Sequence, residues 1–154
     1  MKKLIIDTNL LLLLVIGSID NGKQIRNSSR LNAFQEKDYQ ILKEIISDYN
    51  EILITPYIAT EVSNLIDLNG WARNQTFEFL KLFFSSTLKF INFNIKLDTQ
   101  GQTFNTYGLT DNSLINLVKD HCILTNDDRL CSALYAVNPS NVIQFSVVRK
   151  FPIT

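Results

Sequence analysis

Four acidic residues fall where a fold could gather them. Asp7 ends a short apolar run, Glu61 lies in the second turn of a helix that Pro56 opens, Asp111 starts a helix, and Asp127 follows Ile123-Leu124. Mg²⁺ and Mn²⁺ prefer oxygen ligands, keep several waters and need few protein carboxylates. Carboxylates clustered without cation partners repel one another, so a bound metal relieves a strain that folding otherwise carries. Such ions activate water and stabilise a phosphodiester in transit, and the chemistry implied is metal-assisted hydrolysis. Taken singly, Asp111 and Asp127 are good helix N-caps and Glu61 an ordinary solvated helix residue. Asp7 resists that explanation, because an unpaired carboxylate within an apolar stretch demands a cation or strong donors nearby.

The elements that must position these acids alternate. Lys3 to Ile6 reads as a strand, and Leu10 to Ile16 is apolar enough for a buried helix. Gly17 to Asn32 is polar and rich in turn formers, which predicts a long surface loop. Asp38 can cap a helix in which Ile41, Leu42, Ile45, Ile46 and Tyr49 recur at helical spacing. Glu51 to Thr55 reads as a strand, followed by the Pro56 helix to about Leu68, where Asn69-Gly70 ends it. A helix is expected over 74–85, and the region 88–95 leans to strand. Residues 98–108 lack periodicity and take no assignment. Thr110 or Asp111 is expected to cap a helix to about Asp120, with Cys122 to Leu124 a strand and Asp127 opening a helix through Val137. Asn138-Pro139 breaks that helix, and 142–145 and 147–151 read as two last β runs. This alternation predicts an α/β fold: a mostly parallel central sheet covered by helices on both faces. In such sheets ligands bind in the crevice beyond the carboxyl ends of the strands, where Asp7 and Asp127 would emerge together.

Composition narrows the class. The 154 residues suit one domain, and 45% hydrophobic residues with few Gly and Pro exclude a disordered or linker-rich chain. Fifteen basic residues balance fifteen acidic ones, so any nucleic-acid grip must be local rather than a bulk polycation effect. Cys122, Cys131 and His121 are too few for a disulfide framework or a structural zinc site, and both thiols are expected buried and reduced, as in cytoplasm. The basic-then-apolar N-terminus imitates a signal peptide, but Asp7-Thr8-Asn9 interrupts it, and no membrane association is expected.

Leu4-Ile5-Ile6-Asp7-Thr8-Asn9, Thr60-Glu61-Val62, Leu109-Thr110-Asp111 and Leu124-Thr125-Asn126-Asp127 with Leu130 resemble the four acidic motifs of PIN domains, in the usual order and over nearly the whole chain. The resemblance implies a single PIN-like α/β/α domain over residues 1–154 with a five-stranded parallel sheet. It implies a Mg²⁺- or Mn²⁺-dependent endoribonuclease of single-stranded or structured RNA, often the toxin of a toxin–antitoxin pair. By motif, Asp7, Glu61, Asp111 and Asp127 would be the catalytic, metal-binding acids, Asn9 a polar support for the first, and Thr125 the hydroxyl before the last. Asp128 rivals Asp127 as the ligand, although the T-x-D-x-x-L pattern favours Asp127. The implied partners are RNA, a cognate antitoxin protein and a second copy of the chain, with the Phe-rich segment 77–93 as extra contact surface.

Arg26 and Arg30, with Lys23, are candidate RNA contacts, though a solvated loop is the plainer reading, and Arg129 beside the last acid would suit a phosphate as readily as water. Trp71 with Arg73 would suit a stacked base, though packing at a helix end is the plainer use of the indole. Two other functions compete. Asp7-Thr8-Asn9 and Asn126-Asp127-Asp128 are similar to the acid pairs of haloacid-dehalogenase-like phosphatases, but Asn9 replaces their second Asp and Glu61 would have no role. A catalytically inactive PIN-like module that binds RNA or protein is the other.

Overall fold

In the computed structural model, which describes residues 1–151, Lys3–Ile6 forms the central strand β1. Its Leu4, Ile5 and Ile6 are all completely buried. Successive strand side chains point to opposite faces, so a strand buried at three consecutive positions must be covered on both sides. The cover is helical. The parallel partners of β1 are β2 (Glu51–Ile54) and β4 (Cys122–Thr125). The edges are β3 (Leu88–Phe90) beside β2 and β5 (Val142–Gln144) beside β4. The order β3-β2-β1-β4-β5, parallel throughout, makes a single three-layer α/β/α domain. The chain leaves β1 toward one edge through β2 and β3, then returns to the other side through β4 and β5. The strand order therefore reverses at β1 and β4, where open α/β sheets form their crevice.

Helix α1 (Thr8–Gly17) is apolar all round, with every leucine from Leu10 to Leu14 buried, as a helix enclosed by others must be. It packs on α2 (Glu36–Ser47), α3 (Pro56–Leu65) and α4 (Gly70–Leu82). Pro56 occupies the first turn of α3 as expected, and Thr55 caps it by accepting from the Ile58 N–H at 3.2 Å. After α4 and a π turn at Phe83–Thr87 come β3, the short α5 (Ile95–Asp98) and α6 (Gln102–Leu117). The chain then passes through β4 to α7 (Asp128–Val137), β5 and the short α8 (Phe145–Val148).

Several expectations are corrected. Residues 17–32 are not a plain surface loop: 3₁₀ turns at Asp20–Asn27 and Ser29–Leu31 bury Ile25 and Leu31 in the main core. Helix α3 stops at Leu65, and Asn69-Gly70 begins α4, four residues ahead of the expected start. Asp38 acts from the first turn of α2 rather than as its cap, accepting from the Gln35 N–H at 2.8 Å. Residues 102–108, unassigned by pattern, are helical, and α6 is broken at Gly108, where φ is 81°. Gly108 thus sets the break, and Thr110 and Asp111 lie in the turn after it instead of capping. Residues 147–151 do not form a strand, because the fully buried Phe145 pins α8 directly after β5. Among the described residues, no helix is long and apolar enough to cross a membrane. Cys122 and Cys131 are free thiols, the first half-buried and the second buried.

One close approach sets the seat of α1. A Cβ built on Gly17 would collide with the ring of Tyr39, a buried residue of α2. The substitution Gly17→Ala is expected to lower unfolding free energy by about 1–3 kcal/mol, the usual effect of overpacking, read as a shift of the urea midpoint.

Candidate functional site

Asp7 leaves β1 and starts α1. Its backbone N–H continues the ladder to the Leu124 carbonyl at 3.0 Å, and its own carbonyl receives the Leu11 N–H at 2.9 Å. The residue is only 7% exposed, so its carboxylate needs donors, and it has them. The Thr8 N–H reaches Oδ1 at 2.7 Å and the Thr125 hydroxyl, from the neighbouring strand, reaches Oδ2 at 2.7 Å. Register explains the second bond, since Ile6 pairs with Leu124 and the next residues of each strand emerge side by side. Thr125 also accepts the Asp127 N–H at 3.0 Å, so one hydroxyl orients both the first and the last acid. Asp127 caps α7 through the Leu130 N–H at 3.0 Å.

Glu61 arrives from α3 with both carboxylate oxygens engaged: the Thr8 hydroxyl donates to Oε2 at 2.8 Å, and the Thr110 hydroxyl donates to Oε1. Asp111 lies one residue further along the turn that follows Gly108. Asp7, Glu61, Asp111 and Asp127 all line one crevice of ≈ 530 Å³ together with Thr8, Thr110 and the rings of Tyr57 and Tyr107. Among the described residues, no Lys, Arg or His lines it.

The electrostatics follow from that composition. Asp7 is held above the ordinary carboxylate range first by burial, opposed by the bonds from Thr125 and Thr8, and raised further by the charges of Asp127 and Glu61. Asp111 is pushed up to about 7 by burial and then by Asp7, Asp127 and Glu61, with only Arg129 pulling the other way. That guanidinium is already engaged, donating to the Thr106 carbonyl at 2.9 Å and lying over the Tyr107 ring at 5.1 Å. It therefore braces the segment before Gly108 against α7 at the rim of the crevice.

The remaining sequence-chosen residues separate. Asn9 lines the crevice but is exposed and gives Asp7 no hydrogen bond; Thr8 and Thr125 supply that support. Asp128 turns away to accept from Ser146 at 2.6 Å and Gln144 at 2.8 Å, bonds that hold its carboxyl below the usual range. Of the two neighbours, Asp127 is thus the acid in the crevice. Arg26 lies in a different depression beside Phe34, and Arg30 does not line the crevice either. Trp71 is 60% exposed rather than packed at a helix end, while Arg73 donates to the Ile66 carbonyl and covers Phe77. Sequence reasoning passed over Thr8 and Thr110. The signal was present, because a threonine stands within two positions of every one of the four acids.

The donor set suits a hard divalent cation, being all oxygen and uncompensated by positive charge. Its present arrangement does not enclose one: among the described residues, no three acidic, His or Cys side chains stand where they could hold a metal ion. Hydroxyl and backbone donors hold the carboxylate oxygens of Asp7 and Glu61 instead. No protein-family model matches the sequence, and no curated protein matches it.

Two outcomes follow for the metal-free protein. Below the ordinary value of 3.8 Asp111 is protonated whether folded or not; between there and about 7 the folded chain keeps a proton that the unfolded chain releases. The contribution of Asp111 to stability therefore falls as pH rises through that window and levels off above it. In chelator, Asp111→Asn is expected to exceed the parent by about 1–2 kcal/mol at pH 8, a range reduced for solvent screening, and to match it near pH 4 in urea titrations. Thr125→Val, which strips Asp7 and Asp127 of their shared hydroxyl, is expected to lose about 1–3 kcal/mol while Thr125→Ser loses little.

Proposed function

We propose that the chain is a divalent-metal-dependent endoribonuclease with Asp7, Glu61, Asp111 and Asp127 as its acids. The observation that carries this reading is the convergence of four carboxylates from β1, α3, α6 and the β4–α7 turn on one crevice at the carboxyl edge of the sheet. Separations in sequence of up to 120 residues are closed only by the fold (127 − 7 = 120). The four motifs that resemble PIN domains support the choice of RNA, and the toxin half of a toxin–antitoxin pair, active where its antitoxin is absent, is the setting that resemblance favours.

When bound, Mg²⁺ or Mn²⁺ supplies Lewis acidity and a more acidic water for attack on phosphorus. The chain's own groups do the rest. Thr125 fixes the angle between Asp7 and Asp127, while Thr8 and Thr110 hold Glu61 against the same crevice until a cation competes for its oxygens. Asp111, uncommitted to any hydrogen bond among the described residues, is the acid of the four whose oxygens are freest to turn to a cation. The phosphatase reading is weakened because both oxygens of Asp7 accept hydrogen bonds and the group is nearly enclosed, a poor state for a nucleophile. A non-cleaving module that binds RNA or protein is the second reading, and the lack of a preformed metal-holding trio among the described residues favours it.

Purified protein incubated with mixed RNA in Mn²⁺ or Mg²⁺ is expected to make internal cuts that leave 5′-phosphate ends. Chelator, Asp7→Asn and Asp111→Asn should each abolish them. RNA bound equally with and without chelator but never cut would instead select the non-cleaving module.

A further inference from the structure

Beside the acidic crevice lies a second, smaller cavity of ≈ 130 Å³, and Tyr57 lines both. It is far smaller than the roughly 300–1,000 Å³ of sites for drug-sized ligands, and it suits a single planar ring. Its lining includes Asp98, 6% exposed and without a basic partner among the described residues. Asp98 Oδ2 accepts the Tyr57 hydroxyl at 2.7 Å and the Asn94 N–H at 3.4 Å, whereas Oδ1 has only a long contact with Asn116 Nδ2 at 3.4 Å. A carboxylate offers about four acceptor sites, so Oδ1 retains capacity. Asn116 Oδ1 has no hydrogen-bond partner among the described residues.

The cavity is also held in shape. Asn112, 1% exposed, donates to the carbonyls of Asp98 at 2.7 Å and Gln100 at 3.2 Å and accepts the Thr103 hydroxyl at 2.6 Å. Phe93, which also lines the cavity, is 54% exposed, and its ring stands 5.9 Å from that of Tyr57 in a T-shaped pair at 70°. An exposed aromatic face over a pocket of spare acceptors is the way proteins take unpaired RNA bases: stacking on the ring and hydrogen bonds to the base edge.

Resting on the reading of RNA as substrate, we propose that this cavity receives one unpaired base bearing an exocyclic amino group, next to the scissile position. The Asp98 carboxylate and Asn116 Oδ1 only accept, so they match the amino groups of adenine, cytosine and guanine. Uracil offers them only its N3–H, flanked by two carbonyl oxygens that face the same acceptors, and binds more weakly. Asp98 and Asn116 are the specificity-determining residues of this pocket, Phe93 supplies a stacking ring that any base can use, and Tyr57 is the wall it shares with the acids.

The test uses neutral nucleosides, which the acidic crevice does not repel, titrated into the full chain in chelator and followed by amide and side-chain NMR shifts. Adenosine and cytidine are expected to shift the Asn94 N–H and the Asn116 side-chain NH₂, with uridine binding about tenfold more weakly. Phe93→Ala and Asn116→Ala, both at accessible positions, should each weaken cytidine at least about threefold; Asp98→Asn should remove the preference if it folds. Equal affinity for uridine, shifts confined to other regions, or no shift with any nucleoside overturns the proposal. Discrimination that persists in a protein unable to cut RNA removes the nuclease reading and keeps the pocket, and cutting without discrimination removes the pocket alone.

Discussion

Gathering like charges is the constraint on which this molecule turns. Four carboxylates share one crevice with no basic side chain lining it among the described residues, and water cannot screen Asp7 where it is buried. The fold meets the demand with hydroxyls. Thr8, Thr110 and Thr125 donate to Glu61 and Asp7, and backbone N–H groups at the starts of α1 and α7 supply further donors. Each such bond to a charged acceptor contributes about 1.5–3 kcal/mol, enough to hold a carboxylate in place but not to cancel repulsion among four. Asp111, the one acid of the four without such a bond, is pushed up to about 7, and burial keeps Asp7 above the ordinary range despite its two bonds.

The sheet makes this concentration unavoidable once the acids sit at strand ends. A parallel sheet sends every carboxyl end to the same edge, and β1 lies between β2 and β4 at its centre. Asp7 and Asp127 therefore meet across adjacent strands, Glu61 comes from the helix that follows β2, and the Gly108 break turns Asp111 toward the same rim. A side chain at Gly108 would have open space but the wrong backbone: the obstacle is a φ of 81°, not crowding.

The strand–acid–helix units were legible because each is local. Lys3–Ile6 followed by leucines, Pro56 after a β run, and Asp127 before a helical pattern are signals contained within a few residues, and the three lie where the sequence places them. What was not legible depends on distant partners. Ile25 and Leu31 look like strays in a polar loop and become core only because α1 packs over them. Residues 98–108 have no period of their own; their order comes from Asn112, which bonds backward to the carbonyls of Asp98 and Gln100. The β-branched pair Val147-Val148 favours strand by propensity, yet the burial of Phe145 decides for helix, an instance of tertiary packing overriding a weak local preference. Threonine's role was equally hidden. A hydroxyl beside an acid is commonplace in sequence, and only the register of β1 with β4 and the approach of α3 to α6 make it a donor.

Charge also limits how a phosphodiester could be handled on the proposed reading. The chain is neutral overall, and Arg129, the cation whose charge acts on Asp111, is bonded to the Thr106 carbonyl and laid over Tyr107. Freeing it would release the brace that holds the segment before Gly108, and with it the seat of Asp111. An anionic backbone approaching four carboxylates is repelled unless something neutralises them, and among the described residues no side chain lining the crevice does so. A small diffusible cation would answer both demands at once, relieving the acids and admitting the phosphate, whereas a binding module without one would have to meet RNA through bases rather than backbone. On the proposed reading, the neighbouring Tyr57–Phe93 cavity would offer a base contact of that kind, the one part of RNA binding that needs no cation.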